Sequence, residues 1–159
     1  MSLEIRFAEP ADVPLVTELI KALAVYEKLE HEVRATEDRI KEALFGKRPY
    51  AETLIAESDG EAAGFALFFH NFSTFLAQPG LYLEDLFVKP DHRGHGVGRA
   101  LLQRLAQIAV ERGCGRMEWA VLDWNKDAIR FYERLGAKPN SEWTVYRLTG
   151  EPLQALAGQ

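Results

Sequence analysis

The spacing of apolar residues predicts a strand and two helices in the first third of the chain. Between Leu3 and Ala8, apolar and polar residues alternate, which is typical of a half-buried strand. From Pro10 to about Leu29 the apolar residues recur at helical spacing, and the stripe consists of Val13, Val16, Leu19, Ile20 and Leu23. Thr36 is the expected N-cap of a second, short helix that ends near Gly46.

Strand patterns dominate the remainder of the chain. Two apolar runs flank Asp59-Gly60, which predicts a β-hairpin. The predicted strands are Thr53–Glu57, Ala63–Phe69, Leu81–Val88, Met117–Leu122 and Trp143–Leu148, and the predicted helices are Ala100–Arg112 and a segment capped by Asn125 that runs to Leu135 and ends at Gly136. The order β-α-α-β-β-β-α-β-α-β predicts an α/β fold with a mixed central sheet and helices on both faces.

Composition narrows the class of protein. A length of 159 residues suits a single domain over residues 1–159, and no apolar run is long enough to cross a membrane. The net charge of −5 argues against a nucleic-acid partner. The single cysteine, Cys114, excludes an internal disulfide and favours a cytoplasmic location. The four histidines lack ligand spacing, so we expect no metal site.

Glycine spacing marks a candidate phosphate site. Arg93-Gly94-His95-Gly96-Val97-Gly98-Arg99 lies between a predicted strand and a predicted helix. Glycines with positive φ let backbone N–H groups converge on one anion at a helix N-terminus, and arginines suit phosphate. The single-residue spacing does not match the dinucleotide fingerprint, and no Lys-Ser or Lys-Thr follows to complete a nucleoside-triphosphate loop. An unliganded glycine-rich turn is the simpler alternative.

Two adjacent acids interrupt the predicted strand Leu81–Val88. Neighbouring strand residues face opposite sides, so regular alternation would bury either Glu84 or Asp85 if both faces are covered. An unpaired buried carboxylate is costly, and we therefore expect the sheet to open, bulge or supply partners here. An edge strand with a solvated acid, or an acid paired with an arginine, would explain the pattern without any catalytic role.

A second polar group follows the strand predicted at Met117–Leu122. Asn125 is first of all a helix cap, and Tyr132 shares a helical face with apolar residues, so a packing role alone would account for both. Cys114 lies in a Gly-Cys-Gly turn without an evident activating base, and we expect it to be structural.

Several separated motifs together resemble one enzyme family. R-x-x-G-x-G at a helix start resembles the pyrophosphate loop of the GCN5-related N-acetyltransferases (GNATs). Within that superfamily, the diamine acetyltransferases, and their thialysine N-ε-acetyltransferase branch above all, are similar to this chain over nearly its whole length. The motifs that carry the resemblance are Leu23–Leu29, Tyr82-Leu83-Glu84-Asp85, Arg93–Gly98, Ala120–Asn125, Phe131-Tyr132 and Leu135-Gly136-Ala137.

The resemblance implies a GNAT fold in which splayed fourth and fifth strands form the acetyl-CoA cleft. It implies that Tyr132 is the general acid and that Glu84 lies at the acceptor amine as its catalytic partner. The implied acetyl-CoA contacts are Leu86, Phe87, Val88, Arg93, Gly94, His95, Gly96, Val97, Gly98, Arg99, Asn125, Lys126, Asp127, Ala128 and Tyr132. The implied substrate contacts are Tyr26, Glu27, Glu84, Asp85, Glu118, Trp119 and Ala120. The family also implies a homodimer and a small cationic amine as substrate.

Two departures from the polyamine-specific members bear on that substrate. Those members carry an acid near the position of Thr74 and a tryptophan at the position of Tyr146. The sequence therefore favours a thialysine-like or lysine-like amino acid, followed by diamines. A protein lysine or N-terminus as acceptor, and a coenzyme A-binding module without catalysis, stay open as alternatives.

Overall fold

The structure is a computed structural model that describes residues 2–158. It divides into two compact units, Met1–Ala120 and Val121–Gln159. The expectation of one domain over residues 1–159 stays a prediction.

A five-stranded mixed sheet forms the centre of the first unit. Its strands are β1 (Leu3–Phe7), β2 (Glu52–Ser58), β3 (Glu61–Ser73), β4 (Gln78–Val88) and β5 (Met117–Trp119), in spatial order β1-β2-β3-β4-β5. Neighbours pair antiparallel except for β4 and β5, which are parallel. The predicted hairpin is present, since Asp59 and Gly60 have positive φ between β2 and β3. The strands β3 and β4 are longer than the sequence predicts.

Three helices pack on this sheet: α1 (Val13–Tyr26), α2 (Glu37–Phe45) and α3 (Val97–Glu111). The predicted cap of α2 is confirmed, because the Thr36 side chain accepts a hydrogen bond from the backbone N–H of Arg39. The prediction that the first helix runs from Pro10 to Leu29 is wrong at both ends. A 3₁₀ turn precedes α1, and α1 stops at Tyr26 because Lys28 adopts a positive φ of 62°.

The helices cover opposite faces of the sheet, as the sequence predicts. On one face, Leu19 and Leu23 of α1 pack against Phe65 and Phe87. On the other, the guanidinium of Arg112, at the end of α3, lies 5.8 Å from the ring of Phe68. Phe65 and Phe68 are separated by an odd number of strand positions, so their side chains project from opposite faces of β3.

An irregularity in β4 relieves the problem posed by its two acids. Leu83 pairs with Phe68 and Asp85 pairs with Leu67, so Glu84 is an extra residue without a partner on β3. Glu84 is exposed and Asp85 is half-buried, whereas Leu83 and Phe87 on either side are buried. The expectation of an opening or bulge at this point is confirmed.

The second unit contains α4 (Lys126–Arg134) and α5 (Gly150–Ala157). The predicted helix with Asn125 as its N-cap is confirmed, since the Asn125 side chain accepts from the N–H of Ala128. The predicted strand Trp143–Leu148 is wrong. This segment pairs with no strand within residues 2–158, and alternation alone does not make a strand without a hydrogen-bonded neighbour. The helix α5 has no counterpart among the elements predicted from the sequence.

Candidate active site

The glycine loop has the backbone conformation that the sequence predicts. Gly94 has φ of 79° and Gly96 has φ of 82°, and a Cβ built at either position meets no atom within 4 Å. Gly96 is the N-cap of α3 and provides no side-chain cap, so first-turn N–H groups of the helix lack an internal acceptor. Gly98, in contrast, lies within the first turn of α3, and Val97 is buried. The loop therefore combines open space with N–H groups suited to an anion.

The pairing of β4 with β5 is short. The two strands pair only from Leu81↔Met117 to Leu83↔Trp119, and the predicted continuation of β5 to Leu122 is wrong. Pairing stops where the Glu84 bulge interrupts β4. As a result, the β4 segment from Asp85 to Val88 is paired with β3 on one side and with no strand on the other among the described residues. The splay of the fourth and fifth strands that the family resemblance implies stays a prediction, since β5 ends at Trp119.

The cofactor contacts predicted on β4 are limited by packing. The side chain of Phe87 is buried among Leu19, Leu23 and Phe65, so only its backbone is available to a ligand. Leu86 and Val88 are half-buried. On this segment, backbone groups rather than large side chains face the open edge of the strand.

Three carboxylates cluster where β4 bulges. Burial above all, and then the nearby charges of Glu84 and Glu27, raise the pKa of Asp85 to about 6. Burial also raises the pKa of Glu27, which caps the C-terminus of α1. No ion pair or hydrogen bond of the Asp85 side chain occurs within residues 2–158. A cation placed here would offset the charge repulsion within the cluster.

Arg93 occupies a place that the sequence analysis did not foresee. Its Nε donates a 2.8 Å hydrogen bond to the carbonyl oxygen of Val88. Its guanidinium carbon lies 4.6 Å from the centre of the Tyr26 ring and 5.5 Å from that of Phe87. The expected phosphate contact of Arg93 is untested, but much of this side chain is engaged with α1 and β4.

The substrate contacts predicted on β5 are partly engaged within the fold. The carboxylate of Glu118 accepts from Asn71 at 3.2 Å and lies 3.2 Å from Nε of Arg116. Together with burial and Glu84, Glu118 raises the pKa of Tyr82. Trp119 is half-buried at the end of β5, and Ala120 follows it in irregular, exposed backbone.

The remaining predicted contacts belong to the second unit. Asn125 caps α4, Asp127 forms a 2.6 Å ion pair with Arg130, and the rings of Phe131 and Tyr132 have centroids 5.6 Å apart. Lys126 and Ala128 lie in the first turn of α4. The acid role of Tyr132 and the cofactor roles of Asn125 to Ala128 stay predictions.

Other features of the chain do not compete with this site. Within residues 2–158, no group of three or more His, Cys, Asp or Glu side chains is arranged to hold a metal ion, and no helix there is long and apolar enough to cross a membrane. A cavity of about 600 Å³ lies between the end of α2 and the strands β2 and β3, and none of its lining residues is a predicted site residue.

Comparison with known proteins identifies the family. Residues 16–137 match the model of the acetyltransferase (GNAT) family. A thialysine N-epsilon-acetyltransferase of Bos taurus is 37% identical, covering 98% of this chain and 97% of its own length. An L-ornithine N5-acetyltransferase of Arabidopsis thaliana is 36% identical, covering 96% of this chain and 86% of its own. An integron cassette protein from V. cholerae superposes with a TM-score of 0.83 at 29% identity, covering 100% of this chain and 99% of its own.

The fold, the glycine loop and these relatives together define the class of protein. The chain belongs to the GNAT acetyltransferase family, whose enzymes use acetyl-CoA. It is an N-acetyltransferase that resembles enzymes named for small amine acceptors.

Proposed function

We propose that the protein transfers the acetyl group of acetyl-CoA to the amine of a small cationic acceptor, a thialysine-like or lysine-like amino acid or a diamine. The observation that carries the acceptor class is the cluster of Glu27, Glu84 and Asp85 at the bulge of β4. Relatives named for thialysine and ornithine support the same class. Polyamines such as spermidine rank lower because of the departures at Thr74 and Tyr146.

Acetyl-CoA fits the first unit at two places. The diphosphate suits the open, positive-φ loop at Gly94 and Gly96 and the uncapped N-terminus of α3. The pantetheine suits the edge of β4 that β5 leaves unpaired, where backbone groups of Leu86 to Val88 are available. When bound, the cosubstrate supplies an activated acetyl thioester. Backbone N–H groups near Leu86 and Phe87 are the proposed donors to its carbonyl oxygen.

The acid cluster has two proposed tasks on the amine side. An alkyl ammonium has an ordinary pKa near 10 and must lose a proton before its nitrogen can attack a carbonyl. The carboxylates first hold the cation, and Glu84, directly or through water, then accepts its proton. Asp85 is a second candidate for this step, because a pKa of about 6 matches a base that works near neutral pH.

Tyr132 is the proposed general acid. Its phenol would protonate the departing thiolate, whose ordinary pKa is about 8 to 9. The family resemblance supports this role, and Tyr132→Phe is its direct test: unchanged turnover would remove Tyr132 from the mechanism.

We further infer a cytoplasmic homodimer. The dimer rests on the family resemblance, and the location rests on the single cysteine, which is consistent with a reducing compartment. Sedimentation at micromolar concentration measures the first of these directly.

The test is acetyl-CoA-dependent thiol release with thialysine, lysine, ornithine, putrescine, spermidine and a lysine peptide. We expect turnover with one or more of the free amino acids or with putrescine. Turnover only with the peptide would move the acceptor to proteins. Coenzyme A binding without turnover on any amine would favour the non-catalytic module. Glu84→Gln is the matched variant, and it should raise KM for the amine more than KM for acetyl-CoA.

A further inference from the structure

The stacking of Arg93 joins two regions that the family resemblance assigns to different ligands. Arg93 begins the glycine loop, which belongs to the cofactor side, whereas Tyr26 ends α1 on the acceptor side. The guanidinium lies over the Tyr26 ring at 4.6 Å, and Nε is fixed to the carbonyl oxygen of Val88. A planar guanidinium held in this way can stack and donate at the same time, which a lysine ammonium cannot do.

The segment that follows Tyr26 depends on a short and strained turn. Lys28 has a positive φ of 62°, and the N–H of Leu29 bonds back to the carbonyl oxygen of Ala24 at 2.8 Å. Glu27 lies between Tyr26 and this turn, close enough to Asp85 to raise the pKa of its carboxyl group. Tyr26 and Glu27 are consecutive residues at the C-terminal end of α1, so a displacement of Tyr26 also displaces Glu27.

Buried neighbours hold Phe87, the second aromatic ring that the Arg93 guanidinium contacts. Phe87 packs against Leu19 and Leu23 of α1, and its ring centre lies 6.4 Å from that of Tyr26. The guanidinium lies 5.5 Å from the Phe87 ring, so it contacts both the end of α1 and the second half of β4. A displacement of the loop at Arg93 would therefore change its contacts with both the end of α1 and the second half of β4.

We propose that Arg93 is a positioning residue for the acceptor amine: it holds Tyr26, and with it Glu27 beside Asp85, while itself belonging to the loop that takes the cofactor. This inference rests on the proposed function for its assignment of the acid cluster to the amine. It assigns Arg93 mainly to acceptor recognition and makes the conformation of the loop a determinant of amine affinity.

The first experiment compares Arg93→Lys with Arg104→Lys. Both variants replace an arginine whose guanidinium lies over an aromatic ring, but Arg104 of α3 lies 6.0 Å from the ring of Phe7, on a strand separated from β4 by β2 and β3. We expect Arg93→Lys to raise KM for the amine about fivefold, which is the scale of one lost cation–π contact, with little change in kcat or in coenzyme A affinity. Arg104→Lys should leave KM for the amine unchanged. Weaker coenzyme A binding in Arg93→Lys with an unchanged amine KM would overturn the proposal, as would wild-type values throughout.

A second experiment needs no turnover and so separates this inference from the proposed function. The titration of Asp85 can be followed by carboxyl-carbon NMR in the wild type and in both lysine variants. Release of Tyr26 in Arg93→Lys should let Glu27 move away, which lowers the pKa of Asp85 towards its ordinary value, while Arg104→Lys should not change it. An identical Asp85 titration in all three proteins would overturn the positioning role even if the enzyme acetylates amines. A shift in an enzyme that acetylates nothing would uphold the coupling and refute the function.

Discussion

The two halves of β4 differ in their pairing and in their chemistry. From Gln78 to Leu83 the strand is regular, pairs with β3 and, at its end, with β5, and buries Leu81 and Leu83. From Glu84 to Val88 it is bulged, has a strand partner on one side only among residues 2–158, and carries two carboxylates. If the proposed function holds, this continuous strand contributes mainly to packing in its first half and adds ligand binding in its second. The bulge at Glu84 is the boundary.

The first test of this difference measures how much each half of β4 contributes to stability. Leu83→Ala should lower the free energy of unfolding by about 3 kcal/mol, because it leaves a cavity at a fully packed position. Leu86→Ala, at a half-buried position beyond the bulge, should cost about 1 kcal/mol. Urea unfolding of both variants, with coenzyme A affinity measured on the folded protein, checks the contrast. Equal losses of stability would mean that the two halves pack alike.

A second test concerns the glycine loop that follows the second half of β4. Gly96→Val should weaken coenzyme A binding about 30-fold, since a β-branched residue disfavours the positive φ that aims the first N–H groups of α3. Gly113→Val is the matched control: Gly113 has φ of 73° and equal space, but lies beyond the other end of α3. The affinity of both variants for coenzyme A can be measured by calorimetric titration. Equal affinities in the two variants would mean that backbone strain alone, rather than the loop geometry, weakens binding.

The acid cluster makes the binding half sensitive to pH. The pKa of Asp85 is raised to about 6, so this carboxyl loses its charge as the pH falls through that value. We expect kcat/KM for the amine to fall about tenfold per pH unit below pH 6, because the cluster then attracts the cation less. Asp85→Asn should lack this acidic limb, and its kcat/KM above pH 6 should be lower than that of the wild type. An acidic limb that survives in Asp85→Asn would assign the titration to another group.

The smallest expected effect compares two positive-φ residues. Lys28 follows α1 beside the acid cluster, and Ala77 lies in the turn that leads into the first half of β4. Replacing either by glycine should relieve about 1 kcal/mol of backbone strain. Only Lys28→Gly should also raise KM for the amine, because it loosens the segment that holds Glu27. A raised KM in Ala77→Gly as well would remove this distinction between the halves.

The local features of this comparison could be predicted from the sequence, and the long-range ones could not. The adjacency of Glu84 and Asp85 is enough to demand a bulge or an opening, because strand alternation leaves one of them facing the core. The caps at Thr36 and Asn125 likewise depend only on nearby backbone N–H groups. For the same reason the positive φ values of Gly94 and Gly96 follow from the motif.

Features that depend on residues distant in the chain could not be predicted from the sequence. The end of β5 at Trp119 depends on where β4 bulges, and the absence of a strand at Trp143–Leu148 depends on a missing neighbour. The stacking of Arg93 on Tyr26 brings together residues that are far apart in the chain. The flexible arginine side chain suits a phosphate and an aromatic ring equally well, so its identity alone does not choose between them.

The most direct test of the division within β4 is to measure stability and activity together in Asp85→Asn at pH 8. The folded-state pKa of Asp85, about 6, lies above the ordinary value of 3.8, so its contribution to stability is present below pH 3.8 and lost as the pH rises through about 6. At pH 8, Asp85→Asn should raise the free energy of unfolding by about 2 kcal/mol, whereas at pH 4 it should change it little. At pH 8 the same substitution should lower kcat/KM for the amine at least about tenfold. A variant that is less stable at pH 8, or as active as the wild type, would contradict the claim that this half of the strand gives up stability for binding.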